Sequence, residues 1–172
     1  MAETLTTLKA RRSCRAYKPD AVEESKLSAI IEAGTYAATG MGKQSPIIIV
    51  VKDPEVRKKL TKLNAAAMGM DMDPFYGAPE LLVVLADKTV PTYIYDGSLV
   101  MGNMMNAAAD LGVASCWIHR AKEEFESEEG KEILKKLGIE GDYEGIGNLI
   151  LGYAAKPDGK AAPRKANYVY TI

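Results

Sequence analysis

The stretch Asp96-Gly-Ser-Leu-Val-Met-Gly-Asn-Met-Met-Asn-Ala-Ala-Ala-Asp-Leu-Gly112 decides the fold. Leu99, Val100, Met104, Ala107, Ala108 and Leu111 recur at helical spacing. Asp96 or Ser98 is placed to cap the first amides, and Gly112 suits the left-handed residue that ends a helix. The stretch has no Lys or Arg and is apolar around most of its circumference, which predicts a buried helix. At ~1.5 Å per residue it spans roughly 25 Å, the width of a small domain. Its length, its Asp and its Asn residues exclude a membrane span. It leads directly into Val113-Ala-Ser-Cys-Trp-Ile118, an apolar run with the length of a short buried strand. A central helix followed by a strand is what the remaining segments must cover.

Working outward, Leu81 to Ala86 reads as a second buried strand. Ile47 to Val51 is an unbroken β-branched run, the mark of a strand covered on both faces. Ile146 to Tyr153 reads as another strand, and Tyr168 to Ile172 has a short strand pattern. Between them lie helical patterns. Thr4 to Ala10 turns Leu5 and Leu8 inward. Glu23 to Ala38 puts Leu27, Ile30, Ile31, Ala33, Gly34 and Ala37 on one face. A helix starts at Asp53-Pro54 and runs to about Ala67, with Val56, Leu60 and Leu63 inward. Ser127 to Leu137 is amphipathic, with Ile133, Leu134 and Leu137. Met68 to Pro79 is irregular. No repeat or linker interrupts the chain, so residues 1–172 are expected to form one domain. The mixed order predicts an α+β fold with helices packed on one sheet.

With 172 residues, 47% of them apolar, the chain is large enough to bury a real core. The net charge of -1 argues against a globally basic nucleic-acid binder. Cys14 and Cys116 lie too far apart in sequence to suggest a disulfide framework. With a single histidine, His119, they do not make an ordinary zinc site, so no metal is expected. Met1-Ala-Glu-Thr lacks the basic start and apolar region of a signal peptide. A cytoplasmic, reducing setting without membrane attachment is the expectation.

Two stretches suggest binding. Arg11-Arg-Ser-Cys-Arg15 is either a solvated basic turn or an anion clamp, since guanidinium forks match phosphate oxygens in pairs. Thr39-Gly-Met-Gly-Lys-Gln-Ser-Pro46 is a glycine-rich loop, but it fits neither nucleotide fingerprint. Gln44 stands where a P-loop needs Ser or Thr, and Ser45 where a dinucleotide motif needs its third Gly. No nucleophile–base pair or carboxylate pair stands out. A chain without catalytic side chains leaves the chemistry to a cofactor.

These pieces together resemble the nitroreductase family of flavin mononucleotide (FMN) oxidoreductases. Arg11-Arg12-Ser13-Cys14-Arg15, with Tyr17, resembles the family's Arg-Arg-Ser-x-Arg opening. Ala38 to Pro46 resembles its Pro-Ser-x-x-Asn-x-Gln-Pro loop, with Ala-Thr, Gly42 and Ser45 replacing Pro-Ser, Asn and the first Pro. Leu63-Asn64 resembles the helix end that gives an Asn to the flavin. Gly112-Val-Ala-Ser-Cys-Trp-Ile118 resembles the Gly-x-x-Ser-x-Trp-Ile end of the long helix. Leu151-Gly-Tyr153, followed by Pro163-Arg164-Lys165, resembles the closing motif.

The resemblance implies a mixed or antiparallel central sheet surrounded by helices, in an intertwined homodimer with FMN at the interface. It implies that Arg11 and Arg164, with Lys165, hold the phosphate. Arg12 and Ser13 would contact phosphate or ribityl, and Arg15 and Asn64 the pyrimidine edge. Thr39, Gly40 and Gln44 would come from the other subunit. Ser115, Cys116, Trp117, Ile118 and His119 would run past the ring, largely by backbone. The arm 163–172 would wrap the partner. The implied reaction passes electrons from NADH or NADPH through FMN to an electron-poor small molecule. A flavin carrier or sensor without turnover, and a flavin-free module using the Arg11–Arg15 patch, are the alternatives.

Overall fold

In the computed structural model the chain runs α1 (Glu3–Ala10), α2 (Glu24–Thr35), β1 (Pro46–Val50), α3 (Pro54–Met68), β2 (Glu80–Asp87), α4 (Tyr93–Asp110), β3 (Ala114–Ile118), α5 (Ala121–Glu126), α6 (Glu128–Lys136) and β4 (Tyr143–Gly152). Residues 3–157 and 159–172 are described; Met1, Ala2 and Asp158 of the expected 1–172 domain lie outside them. The sheet order is β1-β2-β4-β3, and every neighbouring pair is antiparallel.

Side chains alternate along β2. Leu81, Val83 and Leu85 enter a core with Leu60 of α3, Phe125 of α5 and Ile133 of α6. Leu82 and Val84 enter a second core with Leu27 and Ile30 of α2, and with Val100, Met101 and Met104 of α4. The sheet is therefore covered by helices on both faces, as the α+β reading expects. Each fully buried Leu or Met contributes about 1.5–3 kcal/mol relative to exposure, so losing either layer is costly.

The sequence reading needs correction in several places. The central helix starts earlier, at Tyr93, and Asp96 does not cap it. Asp96 lies within the first turn, 2% exposed. Its carboxylate accepts from Gly40 N–H at 2.9 Å, Ser45 Oγ at 2.8 Å and Thr92 Oγ1 at 3.0 Å. Burial pulls this carboxyl's pKa up, but the three hydrogen bonds outweigh it and hold it below the usual range. The helix is also not buried all round, since Ile94, Tyr95 and Leu99 are exposed. Leu5 and Leu8 of α1 are exposed too, and that helix has no buried residue. The run Ile47 to Val51 is read one residue out of place: the strand is Pro46–Val50, an edge strand that is mostly half-buried, because only β2 pairs with it among the described residues. α5 is a separate short helix that the sequence reading did not find. Residues 168–172 are exposed and form no strand, since nothing in the described chain pairs with them. No helix among the described residues is long and apolar enough to cross a membrane.

Asp96 ties the glycine-rich loop to α4. Asp96→Ala leaves the Gly40 amide and two hydroxyls without their acceptor. A hydrogen bond to a charged group is typically worth ~1.5–3 kcal/mol, so stability should fall by at least that much. Urea unfolding monitored by circular dichroism measures it, and an unchanged midpoint would mean that the carboxylate does not anchor the loop.

Candidate functional site

The segment after α1 is pinned to the outer edge of β3 by backbone groups. Ser13 forms a parallel bridge with Ser115, and Cys14 N–H donates to Ser115 O at 2.9 Å. Tyr17 Oη donates to Cys14 O at 2.9 Å. This holds the arginine cluster in place with no ion pair to it among the described residues. Arg11 and Arg12 line a cavity of about 280 Å³ with Thr7, Ala109, Gly112 and Ser115. Arg12 Nη1 donates to Arg11 O. Arg11 Nη1, Arg12 Nε and Ser115 Oγ are buried with no protein partner. Buried guanidinium N–H groups without acceptors are costly. Two such groups and a serine hydroxyl around one cavity describe a place for an anionic, oxygen-rich ligand.

Ser13 and Arg15 are exposed and do not line this cavity. Burial pushes the Cys116 thiol pKa up, outweighing the opposite pull of Arg15, Ser13 and Arg11. Cys116 is therefore a protonated core thiol, not a nucleophile.

Along β3, Ser115, Trp117 and His119 alternate onto one face, while Cys116 and Ile118 point into the opposite core. At the far end of the strand lies an open groove of about 650 Å³, lined by Trp117, His119, Arg120, Ile94, Ser98 and Glu144. The Trp117 and His119 rings are 6.2 Å apart. Trp117 Nε1 is a further buried donor without a partner. α4 borders both openings, through Ala109 at one end and Ile94 and Ser98 at the other. The openings thus share one side of β3, separated by roughly the strand's own length of ~16 Å.

Two glycines shape the groove. A Cβ on Gly147 would lie 2.3 Å from Trp117 Nε1, so the indole rests directly on that backbone. A Cβ on Gly145 would lie 2.1 Å from Ala121 O, so only glycine lets the start of α5 sit on β4.

Beneath the groove Asn64, Glu124 and Asn148 are each fully buried. Asn64 Nδ2 donates to His119 O at 2.7 Å and also to Glu124 Oε1. Asn148 Nδ2 donates to the same Glu124 oxygen at 2.9 Å. Burial pushes the Glu124 carboxyl up to about 8, against the smaller downward pull of the two amides. Arg120, which follows His119, adopts φ 77, a left-handed conformation uncommon outside glycine.

A model of the nitroreductase family matches residues 8–71. The chain is 29% identical over 158 residues to a protein of Archaeoglobus fulgidus provisionally named NADH dehydrogenase/NAD(P)H nitroreductase, covering 89% of this chain and 86% of that one. It is 32% identical over 122 residues to an FMN reductase (NAD(P)H) of Bacillus subtilis, covering 66% of this chain and 47% of that one. Its fold matches a crystal structure of a nitroreductase with bound FMN from Bacteroides fragilis, with a TM-score of 0.88, 29% identity and coverage of 100% of both chains. In sequence and in fold the chain is similar to the nitroreductase family.

On this nitroreductase fold the expected site residues do not all gather in one place. Arg11, Arg12, Ser13, Arg15 and Ser115 gather at the start of β3, and Trp117 and His119 reach the groove at its end. The side chains of Cys116 and Ile118 pack into the core, and the amide nitrogen of Asn64 is committed to His119 and Glu124. Thr39 and Gln44 line a separate cavity with Gly34 and Val100. Gly40 is held by Asp96. Arg164 and Lys165 sit on an exposed tail with local contacts. Arg164 Nε donates to Ala162 O at 3.2 Å, and Lys165 Nζ lies 5.3 Å from the Tyr168 ring. The sequence reading missed Glu124 and Asn148. The available signal was the helical spacing of Ala121, Glu124 and Phe125, which share the buried face of α5.

Gly147→Ala should force the Trp117 indole off its seat. Overpacking of this kind typically costs ~1–3 kcal/mol. Trp117 is the only tryptophan, so its emission reports the site alone. A shifted emission with a lowered melting temperature is expected; unchanged values for both would mean the indole does not rest on that backbone.

Proposed function

We propose that the chain is an FMN-dependent oxidoreductase that takes electrons from NADH or NADPH and delivers them to an electron-poor small molecule such as a nitro compound or quinone. The observation that carries this reading is the set of unpartnered buried donors along one side of β3. Arg11 Nη1, Arg12 Nε and Ser115 Oγ lie at one end and Trp117 Nε1 towards the other. That pattern fits a ligand with an anionic end and a flat heteroaromatic end. Arg11 and Arg12 would hold the phosphate, with Ser13 and Ser115 completing the cradle. Arg15 would face the polar edge of the ring, and Trp117 to His119 would flank it. When bound, FMN supplies the ability to accept and donate hydride. The protein's own part is to bind the cofactor, orient it and keep positive charge near the edge that gains negative charge on reduction.

A second copy of the chain completes the arrangement. The Thr39–Gln44 loop lies by a different cavity from Arg11 within one chain, so its residues would serve the partner's cofactor. Ile94, Tyr95 and Leu99 give α4 an exposed apolar face, and Tyr168, Val169, Tyr170 and Ile172 are exposed on the tail. The tail, with Arg164 and Lys165, would reach across the partner, and the free edge of β1 is a surface that accepts such a strand. Interfaces of this type commonly exceed ~2,000 Å².

Arg11→Ala tests the phosphate assignment. A buried charge-assisted contact is worth ~1.5–3 kcal/mol, or about ten- to a hundredfold in affinity. FMN affinity should fall by that factor while riboflavin affinity stays nearly unchanged. Equal losses for both would take Arg11 away from the phosphate. Steady oxidation of NADH or NADPH by the FMN-loaded wild type, with a quinone as acceptor, separates an enzyme from a carrier; loaded protein without turnover would overturn the catalytic reading.

A further inference from the structure

Three buried acceptor atoms without a donor occur in one cluster: Asn64 Oδ1, Asn148 Oδ1 and Glu124 Oε2. Their residues are all fully buried. The amide nitrogens are already used, since both Asn side chains donate to Glu124 Oε1 and Asn64 also donates to His119 O. An ionised carboxylate only accepts hydrogen bonds. It would leave all three oxygens unsatisfied and add a buried charge. No cation pairs with Glu124 among the described residues. A proton on Oε2 turns that atom into a donor. A carboxylic acid and a primary amide pair through two bonds, the amide N–H to one carboxyl oxygen and the carboxyl O–H back to the amide oxygen. Asn64 and Asn148 each already make the first of these two bonds, and the single O–H supplies the second to one of them.

We propose that Glu124 is a positioning residue that works as the neutral acid: its O–H donates to one of the two amide oxygens, Asn64 Oδ1 or Asn148 Oδ1, and so holds together the network through which Asn64 fixes the His119 carbonyl and the left-handed turn at Arg120. The backbone reinforces the link, because Glu124 N–H donates to Arg120 O at 3.0 Å. The inference concerns the turn at the mouth of the groove and holds whether or not a flavin binds there.

The charged groups around α5 do not offset a Glu124 anion. Lys122 of α5 is taken by Glu144 of β4 at 2.9 Å, with Glu126 at 3.8 Å. Arg57 of α3 donates to Ala78 O and Pro79 O. Lys58, Lys59 and Lys62 of α3, every charged residue of α6 and His119 are exposed. Glu80 of β2 pairs with Lys52 at 3.4 Å, and Asp87 of β2 accepts from Thr89 N–H. Glu123, next in sequence, is a like charge that favours the neutral acid.

Burial is what raises this acid, from an ordinary value of 4.5 to about 8. The folded state therefore binds more protons than the unfolded state between those limits. The stability contributed is whole below pH 4.5 and is lost as the pH rises towards about 8. Within that window one bound proton shifts the folding equilibrium about tenfold per pH unit.

Glu124→Gln is the decisive variant, because its amide donates where the acid O–H does and cannot ionise. Melting temperatures of apo wild type and variant are compared from pH 5 to 9. The two should be close at pH 5. The wild type should then fall progressively below the variant, and the gap should level off above about pH 8. A variant that is less stable by a constant amount, or a gap that closes as the pH rises, would mean the ionised form is the working one. Trp117, two residues from His119, reads the turn itself. Its emission in wild type should change with a midpoint near pH 8 and should stay flat in Glu124→Gln. Identical emission profiles in the two proteins would remove the positioning role.

Discussion

β2 must be covered on both faces at once, and the rest of the fold follows from that constraint. Its side chains alternate between two cores. One needs α2 and α4, and the other needs α3, α5 and α6. The chain between β2 and β4 therefore has to supply helices to both sides of the sheet. α4 covers one face, β3 adds the outer strand, and α5 and α6 return to the other face before β4 pairs with β2. The crossing of β3 from α4 to α5 creates the candidate site. One end of that strand meets the arginine segment, and the other ends in the His119–Arg120 turn.

The buried polar atoms divide in an informative way. Along the α4 side of β3 the unpartnered atoms are donors on Arg11, Arg12 and Trp117, with the Ser115 hydroxyl. Beneath the turn they are acceptors on Asn64, Asn148 and Glu124. Unmet donors next to an opening are satisfied by an anionic or carbonyl-rich ligand. Where acceptors crowd a closed interior, a proton on one of them turns it into a donor for another. The same physical rule, that a buried polar group needs a partner, gives a binding site in one place and a protonation state in the other.

Much of the fold was legible because its signals are local. The apolar spacing of Val100, Met104 and Ala108 marked α4, the uninterrupted Leu81 to Ala86 marked β2, and Asp53-Pro54 marked the start of α3, where Asp53 accepts from Glu55 N–H and Val56 N–H. What failed depended on distant partners. Asp96 reads as a cap by sequence, yet it turns inward because Gly40 and Ser45, far away in the chain, need an acceptor. Leu5, Leu8, Leu99 and the alternating Tyr168 to Ile172 obey apolar periodicity, but within the described chain they remain exposed. α5 was hidden in a run of Lys and Glu, where only Glu124 is buried. At the site, the arginine cluster and the Ser115 to His119 run were legible as motifs. The commitment of Asn64 to Glu124 was not, because it depends on how α3, α5 and β4 converge.

The division of the site between two copies is the central claim. Each chain would offer the Arg11 cavity and the Trp117 groove to one cofactor, and its Thr39–Gln44 loop and tail to the other. Sedimentation velocity, followed at a wavelength absorbed by flavin and not by protein, tests this most directly. All bound FMN should travel with a dimer at one FMN per chain, and deletion of residues 163–172 should remove both the dimer and the colour. Flavin that sediments with a stable monomer would contradict it.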